Sequence, residues 1–209
     1  MELEEKWVKV LTKYSLIKEV FICCEETDPQ LQTNLQPMNE FRAALDHIMK
    51  LNYSVFVDEN EGEVAKQFEK LNSHLDRAFF DICDMASSNY RNMIADILEK
   101  YSSEVIRGAI PGYYSDIKPK ITDISERIIA YRKNKGTTFE EEEALFENYK
   151  TDVFALQSLY KDVSKMVSSL EELQSKYSKE QKESKKPTYV GIAVAIAGIV
   201  IGALVGILF

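Results

Sequence analysis

The chain of 209 residues carries 26 lysines and arginines against 34 aspartates and glutamates, which gives a net charge of −8. This acidic balance argues against a general nucleic-acid-binding protein, because such proteins usually carry a basic surplus. The 8 glycines and 5 prolines are too few for the turns of an all-β sandwich or of a Gly-rich phosphate-binding fold. Composition therefore argues against both of these fold types.

Helical periodicity dominates the N-terminal half of the chain. Apolar residues recur three and four positions apart, a spacing that is typical of helices packed on a core. The pattern predicts a first helix over Glu2–Cys24 and a second over Pro37–Leu51. It then predicts a polar loop over Asn52–Glu61 and a long third helix over Gly62–Arg107, which ends at the turn residues Gly108–Gly112.

A fourth and a fifth helix are predicted in the second half of the chain. The fourth covers Tyr114–Tyr131, and the fifth opens with Thr138 and Glu141, which have the types and spacing of a capping box. Apolar heptads extend the fifth helix toward Ser184. We expect the long third and fifth helices to pair antiparallel, so that residues 1–177 form an elongated all-α bundle of about five helices, two of them long.

The cysteines and histidines do not have the spacing of a metal site. Cys23 and Cys24 are adjacent, Cys83 lies far along the chain, and His47 and His74 are the only histidines. We therefore predict no metal and no cofactor, and we interpret the cysteines as buried apolar side chains in a reducing compartment. The acidic N-terminus does not resemble a signal peptide.

The C-terminal segment Tyr189–Phe209 contains no charged residue. As a helix it would be about 31 Å long, which matches a hydrocarbon core of about 30 Å. The polar segment 178–188 precedes it and supplies lysines on that flank alone: Lys179, Lys182, Lys185 and Lys186. Because lysines mark the cytoplasmic side of a membrane segment, we predict a single-pass tail anchor with its N-terminal domain in the cytoplasm.

Small residues follow one face of the predicted membrane helix. Gly198, Gly202 and Gly206 are spaced by four, as in the GxxxG pattern that lets helix backbones approach closely in lipid. The pattern predicts a homo-oligomer that uses this face. The expected partners of the protein are then the membrane, a second copy of the chain and a further, unidentified protein.

Polar side chains also cluster on the second and third predicted helices. The second carries Glu40, Arg42, Asp46 and His47, and the third carries His74, Arg77 and Asp81. If these helices form a hairpin, the clusters lie side by side, and we expect Arg42 to pair with Asp81 and Asp46 to pair with His74 or Arg77. Such a half-buried network would fix the register of the two helices.

The spacing Arg42-x4-His47 resembles the R-x4–6-H motif of HEPN domains, small helical bundles found in prokaryotic toxins, defence proteins and CRISPR effectors. In catalytic members of that family, an arginine and a histidine from two protomers meet in a cleft and cut RNA without a metal. The resemblance implies that Arg42 stabilises the phosphate and that His47 moves a proton, with RNA as the nucleic-acid partner.

Three interpretations of function remain open at this point. The first is a tail-anchored membrane protein whose cytoplasmic helical bundle mediates protein–protein interaction or self-assembly. The second is a membrane-tethered HEPN-like ribonuclease or toxin that acts in phage defence. The third is an oligomeric effector that perturbs membranes through its glycine-containing helix.

The glycine pattern generates a testable prediction about assembly. Replacing Gly202 with Leu should weaken the oligomer, because a side chain there would hold the facing helices apart. Leu204→Ala is the matched control, since Leu204 lies on a different side of the helix and should leave the oligomer intact. Cross-linking in mild detergent measures both variants, and a monomeric wild type would contradict the prediction.

Overall fold

The computed structural model of the protein describes residues 3–27, 35–141 and 143–183. Across these residues the regular structure is helical, with no strand apart from an isolated bridge between Lys135 and Thr137. The all-α prediction is therefore confirmed for this part of the chain. The segment Tyr189–Phe209, with Gly198, Gly202 and Gly206, lies outside the described residues. None of the helices that are described is long and apolar enough to cross a membrane.

The described helices follow one another with short connections. In chain order they are α1 (Leu3–Glu25), α2 (Leu35–Phe56), α3 (Glu61–Leu98), α4 (Ser103–Ala109), α5 (Lys118–Lys133), α6 (Glu143–Lys165) and α7 (167–183). A single π-helical turn, Tyr113–Ile117, leads into α5. Gly112 precedes that turn with a φ of 83°, a backbone conformation that glycine adopts without steric cost.

Capping side chains explain where the predicted helix boundaries are wrong. The third predicted helix is broken, because the Ser102 side chain accepts a hydrogen bond from the Val105 N–H at 3.4 Å and begins α4. The predicted loop after Leu51 is shorter than expected, since α2 continues to Phe56 and the Asn60 side chain caps α3. These are local hydrogen bonds, which apolar periodicity does not reveal.

The fifth predicted helix is also divided. It begins at Glu143 and is interrupted at Met166, where α6 ends and α7 follows. The predicted capping pair is present one turn earlier, with the Glu141 carboxylate accepting a hydrogen bond from the Thr138 N–H at 3.0 Å. The capping pair therefore lies close to the first residue of α6, but it does not include that residue.

Helix α3 is the central element of the bundle. On one side α1 runs parallel to it, with Trp7 against Phe68 near one end and Cys23 Sγ 3.0 Å from Tyr90 Oη near the other. On another side α2 returns antiparallel, with Glu40 beside His74. All three cysteines are buried and none forms a disulfide.

The expected antiparallel pairing of α3 with the fifth helix is wrong. Phe146 packs against Phe80 with ring centroids 5.2 Å apart, and Tyr160 packs against Tyr90 further along, so α6 runs parallel to α3. The reason lies in α5, which carries the chain back along α3 before α6 starts. Arg132 of α5 binds Asp84 of α3 at 2.7 Å on that return path.

Candidate functional site

The hairpin of α2 and α3 brings the two histidines together. The rings of His47 and His74 are stacked, with centroids 5.1 Å apart and planes inclined by 23°. His47 faces α3 because its Nδ1 lies 2.6 Å from the Gln67 side-chain oxygen. Both imidazoles are half-buried between the helices. The polar cluster that the sequence predicted at this position therefore includes both histidines.

Glu40 is the carboxylate that joins this cluster. Its Oε2 lies 2.7 Å from His74 Nδ1 and 3.0 Å from Arg77 Nε. Burial opposes the ionisation of Glu40, but the hydrogen bonds from His74 and Arg77 outweigh it, and the pKa of Glu40 is lowered below its ordinary value. The cluster thus holds a negative charge between two partners from α3.

The pairs expected for Arg42, Asp46 and Asp81 are wrong. Asp46 binds Lys50 at 2.6 Å on the exposed side of α2, and Asp81 binds Lys135 in the connection between α5 and α6. Helix geometry explains the difference. Residues seven apart on a helix, such as Glu40 and His47, share a face, whereas residues six apart, such as Glu40 and Asp46, do not. Glu40 therefore shares a face of α2 with His47. Their spacing of seven residues was the sequence signal that could have identified Glu40 as the carboxylate of the cluster.

Arg42 and His47 do not meet within the chain. Five residues along a helix correspond to a rotation of about 140°, so the two side chains leave α2 on different sides. His47 is turned toward α3. Arg42 is exposed and has no hydrogen bond or ion pair with any residue that the structure describes. The two residues of the HEPN-like motif are thus separated.

A buried ion pair was not foreseen from the sequence. Lys13 of α1 is 0% exposed, and its Nζ lies 2.9 Å from Asp76 Oδ1 and 3.0 Å from Asn72 Oδ1. The Glu140 carboxylate lies 3.4 Å away, and the ring of Phe139 lies below the ammonium. In the sequence, the only sign that Lys13 is buried is its position, which lies on the face of α1 that packs against the core.

Burial controls the charge on Asp76. Loss of water raises the pKa of Asp76 to about 6, although the neighbouring Lys13 charge favours the ionised form. The pair has no exposed surface on its lysine side, so it is inaccessible to a substrate. It links α1, α3 and the segment before α6, which is a structural role.

An apolar groove lies between α1 and α2 and is open to solvent. Its volume is about 460 Å³. We name it the α1–α2 groove. Its walls are formed by Leu11 and Tyr14 of α1 and by Phe41 and Leu45 of α2, and its floor by Leu71 and Leu75 of α3. An apolar cleft of this size is typical of a binding site.

The α1–α2 groove exists because both helices pack on α3 rather than closely on each other. Phe41 is the main bridge, with its ring 6.4 Å from Tyr14 and 5.6 Å from Phe21. Both contacts are edge-on, and the gap above Leu71 lies beside them.

Exposed apolar side chains extend the groove to the outer faces of α1 and α2. Among them, Phe56 is 78% exposed, Met49 62% and Leu45 57%. The same surface includes Leu3, Val8, Leu11, Tyr14, Ile22, Leu35, Met38, Tyr53 and Val57, and elsewhere in the described residues only Ile129 and Met166 are comparable. An apolar surface concentrated on one pair of helices marks an interaction site.

Comparison of the chain with protein-family models, curated proteins and solved structures finds no match. Among the residues that the structure describes, no group of histidines, cysteines or carboxylates has the arrangement to hold a metal ion. The candidate sites therefore rest on the geometry of this chain, and the α1–α2 groove is open to a ligand.

The raised pKa of Asp76 generates a prediction about stability. A pKa that is higher in the folded state means that the folded protein binds this proton more tightly, so the stabilisation is lost as the pH rises through about 6. From about pH 5 to about pH 7, wild type should lose about 1 kcal/mol of unfolding free energy through this group. Asp76→Asn should remove that part of the pH dependence, measured by urea unfolding at each pH. An unchanged slope would contradict the assignment.

The separation of Arg42 and His47 generates a second prediction. Arg42→Ala should change the unfolding free energy by less than about 0.5 kcal/mol, because the side chain is exposed and unpaired. His47→Ala should cost about 1–2 kcal/mol, because Gln67 loses its partner and His74 loses its stacked ring. Thermal unfolding measures both. Loss of an RNA-cleaving activity in both variants at equal helix content would instead support the ribonuclease interpretation.

Proposed function

We propose that this protein is a membrane-anchored binding module. Its bundle, residues 1–177, binds a partner protein in the cytoplasm through α1 and α2, and the polar linker 178–188 joins it to the anchor Tyr189–Phe209. The observation that carries the proposal is the α1–α2 groove with its exposed apolar surround.

The polar groups of the bundle support binding rather than catalysis. Glu40, His74 and Arg77 bind one another, and Arg127 of α5 binds the Asp152 carboxylate of α6 with contacts of 2.9 and 2.7 Å. Such paired charges fix helix positions. The groove walls, in contrast, are apolar, and an apolar cleft with few polar groups suits the side chains of a protein partner.

Chain direction supports a partner that binds away from the membrane. Helices α3, α6 and α7 lead toward the anchor, whereas the groove floor at Leu71 and Leu75 lies in the first half of α3. The distance from Leu75 to the end of α3 at Leu98 is about 35 Å along the axis. In an anchored protein the groove would therefore lie well away from the lipid surface.

Membrane fractionation of the full chain tests the anchor. Wild type should remain in the membrane pellet after alkaline extraction, whereas Ile199→Asp should release it, because a carboxylate in the bilayer centre is costly. Ser184→Asp is the matched control outside the apolar segment and should stay in the pellet.

Protease treatment of sealed vesicles with a known orientation tests the topology. The bundle should be digested when the cytoplasmic face is outside. Protection of the bundle in those vesicles would contradict the orientation, and extraction of wild type at alkaline pH would contradict the anchor itself.

A further inference from the structure

We propose that α1 and α2 form the interface between two copies of the chain, which pair antiparallel about a two-fold axis at Leu11. This inference rests on the proposed binding function and assigns its partner as a second copy of the chain. It depends on the spacing of the exposed residues of both helices, on their apolar area and on the order of the charges along α1.

The exposed residues of both helices recur with the spacing of helices that pair with one another. On α1 the spacing alternates between four and three residues, through Glu4, Val8, Leu11, Ser15, Lys18 and Ile22. On α2 the spacings are seven, four and seven, through Met38, Leu45, Met49 and Phe56. Such spacing keeps a stripe on one side of a helix, where it can meet the same stripe of another helix. Each helix therefore carries an outward stripe in addition to the residues that pack on α3.

The exposed apolar area is large enough for a dimer. On α1, α2 and the residue that follows α2, twelve apolar side chains are 42–78% exposed. At about 200 Å² for a fully exposed side chain of this size, they present on the order of 1,000 Å². A standard interface buries about 800 Å² on each partner. In a two-fold pair the α1–α2 grooves of both copies face each other, so their apolar walls would close into the core of a four-helix bundle.

The order of the charges along α1 favours the antiparallel arrangement. Lys18 is the one charged residue that lines the α1–α2 groove among the described residues. It lies seven residues after Leu11, and Glu4 lies seven residues before Leu11. When two antiparallel helices cross at Leu11, residues equally far from it on either side face each other. Lys18 of each copy therefore meets Glu4 of the other, while Val8 meets Tyr14.

A parallel pair would instead place like charges together, with Lys18 against Lys18 and Glu4 against Glu4. The glutamates at the C-terminal end of α1 do not oppose the antiparallel pair. Since α1 begins at Leu3, the overlap of the two helices ends where Leu3 faces Glu19 of the other copy. Glu25 lies beyond that point and faces no residue of the second α1.

The position of α2 relative to this axis follows from its contacts with α1. Leu3 shares a cleft with Val55 near one end of the helix pair, and Phe21 contacts Phe41 near the other end. Because the two helices are antiparallel, the middle of α2 lies level with Leu11. One axis can therefore pass through the middle of the interface of both helices.

An axis at that level sets no like charges against each other on α2. Leu45 of one copy faces Met49 of the other, and Arg42 faces Asn52. Apolar side chains thus meet on both sides of the axis, and the exposed guanidinium group of Arg42 meets a neutral amide. Helix α2 therefore adds apolar contact to the dimer without electrostatic repulsion.

This interface differs from the one that the glycines of the C-terminal segment predict. Since α1 runs parallel to α3 and α6, the two copies direct their C-terminal ends to opposite ends of the dimer. Contact through the glycine face would join copies that run in the same direction. Gly202→Leu should therefore leave the interface at Leu11 intact.

Cross-linking through Leu11 measures this interface directly. Leu11→Cys places a thiol on the proposed axis, whereas Cys23, Cys24 and Cys83 are buried. A short bismaleimide added to the full chain in mild detergent should therefore couple two copies through the new thiols. Lys120→Cys is the matched control on an exposed position of α5, away from the interface, and should give no covalent dimer.

Charge exchange tests the antiparallel pairing. In the Leu11→Cys chain, Lys18→Glu should weaken dimerisation about 10-fold, because both ion pairs of the dimer become repulsive. Glu4→Lys should weaken it similarly, since a lysine would then face Lys18. A mixture of the two variants should restore the dimer, because every contact again joins opposite charges. Circular dichroism should show unchanged helix content in both variants.

Three outcomes would overturn the proposal. Cross-linking that is equal for Leu11→Cys and Lys120→Cys, or absent from both, would exclude a dimer through this face and leave it to a different protein. Failure of the mixture to restore the dimer would exclude the antiparallel pairing. Protection of Leu11→Cys from a maleimide by added anionic vesicles, without cross-linking, would assign the face to lipid. Each result is independent of the membrane fractionation, so failure here leaves the anchor standing.

Discussion

The burial of one lysine charge constrains how the whole bundle is assembled. A charged ammonium group removed from water is tolerated only where acceptors surround it, and for Lys13 these come from α3 and from the segment before α6. The contact with Asp76 therefore sets the register of α1 against α3. It also holds the Glu140 segment against both helices, so that α6 starts at the same level of the bundle.

The histidine cluster has the corresponding role on the other side of α3. Glu40 and His47 hold α2 in place through His74 and Gln67, while Lys13 holds α1. Both sets of polar contacts face α3, so they leave the outward surfaces of α1 and α2 unused. The α1–α2 groove follows from this arrangement, because each wall is fixed to the floor more firmly than to the opposite wall.

The parts of the fold that depend on residues close together in the sequence could be predicted from it. Helices α1, α2 and α5 follow from apolar spacing, and the hydrogen bond between Thr138 and Glu141 follows from residue types three apart. The parallel direction of α6 could not be predicted, because it depends on the path of α5 between distant segments. The burial of Lys13 could not be predicted for a similar reason, since its acceptors lie far along the chain. At the candidate site, both histidines and Glu40 were identified, but the pairing of Glu40 with His74 and Arg77 was not.

If the protein is anchored as proposed, the contact between α4 and α7 has a mechanical consequence. Leu173 of α7 lies over Gly108, where an added Cβ would come within 2.5 Å of its side chain, so the two helices interlock closely. Met166 separates α7 from α6, and Val163 just before it is fully buried. A pulling force on the C-terminus would load the α4–α7 contact first and peel α7 at that joint. Peeling of α7 would leave the groove intact, because its walls α1 and α2 are fixed to α3.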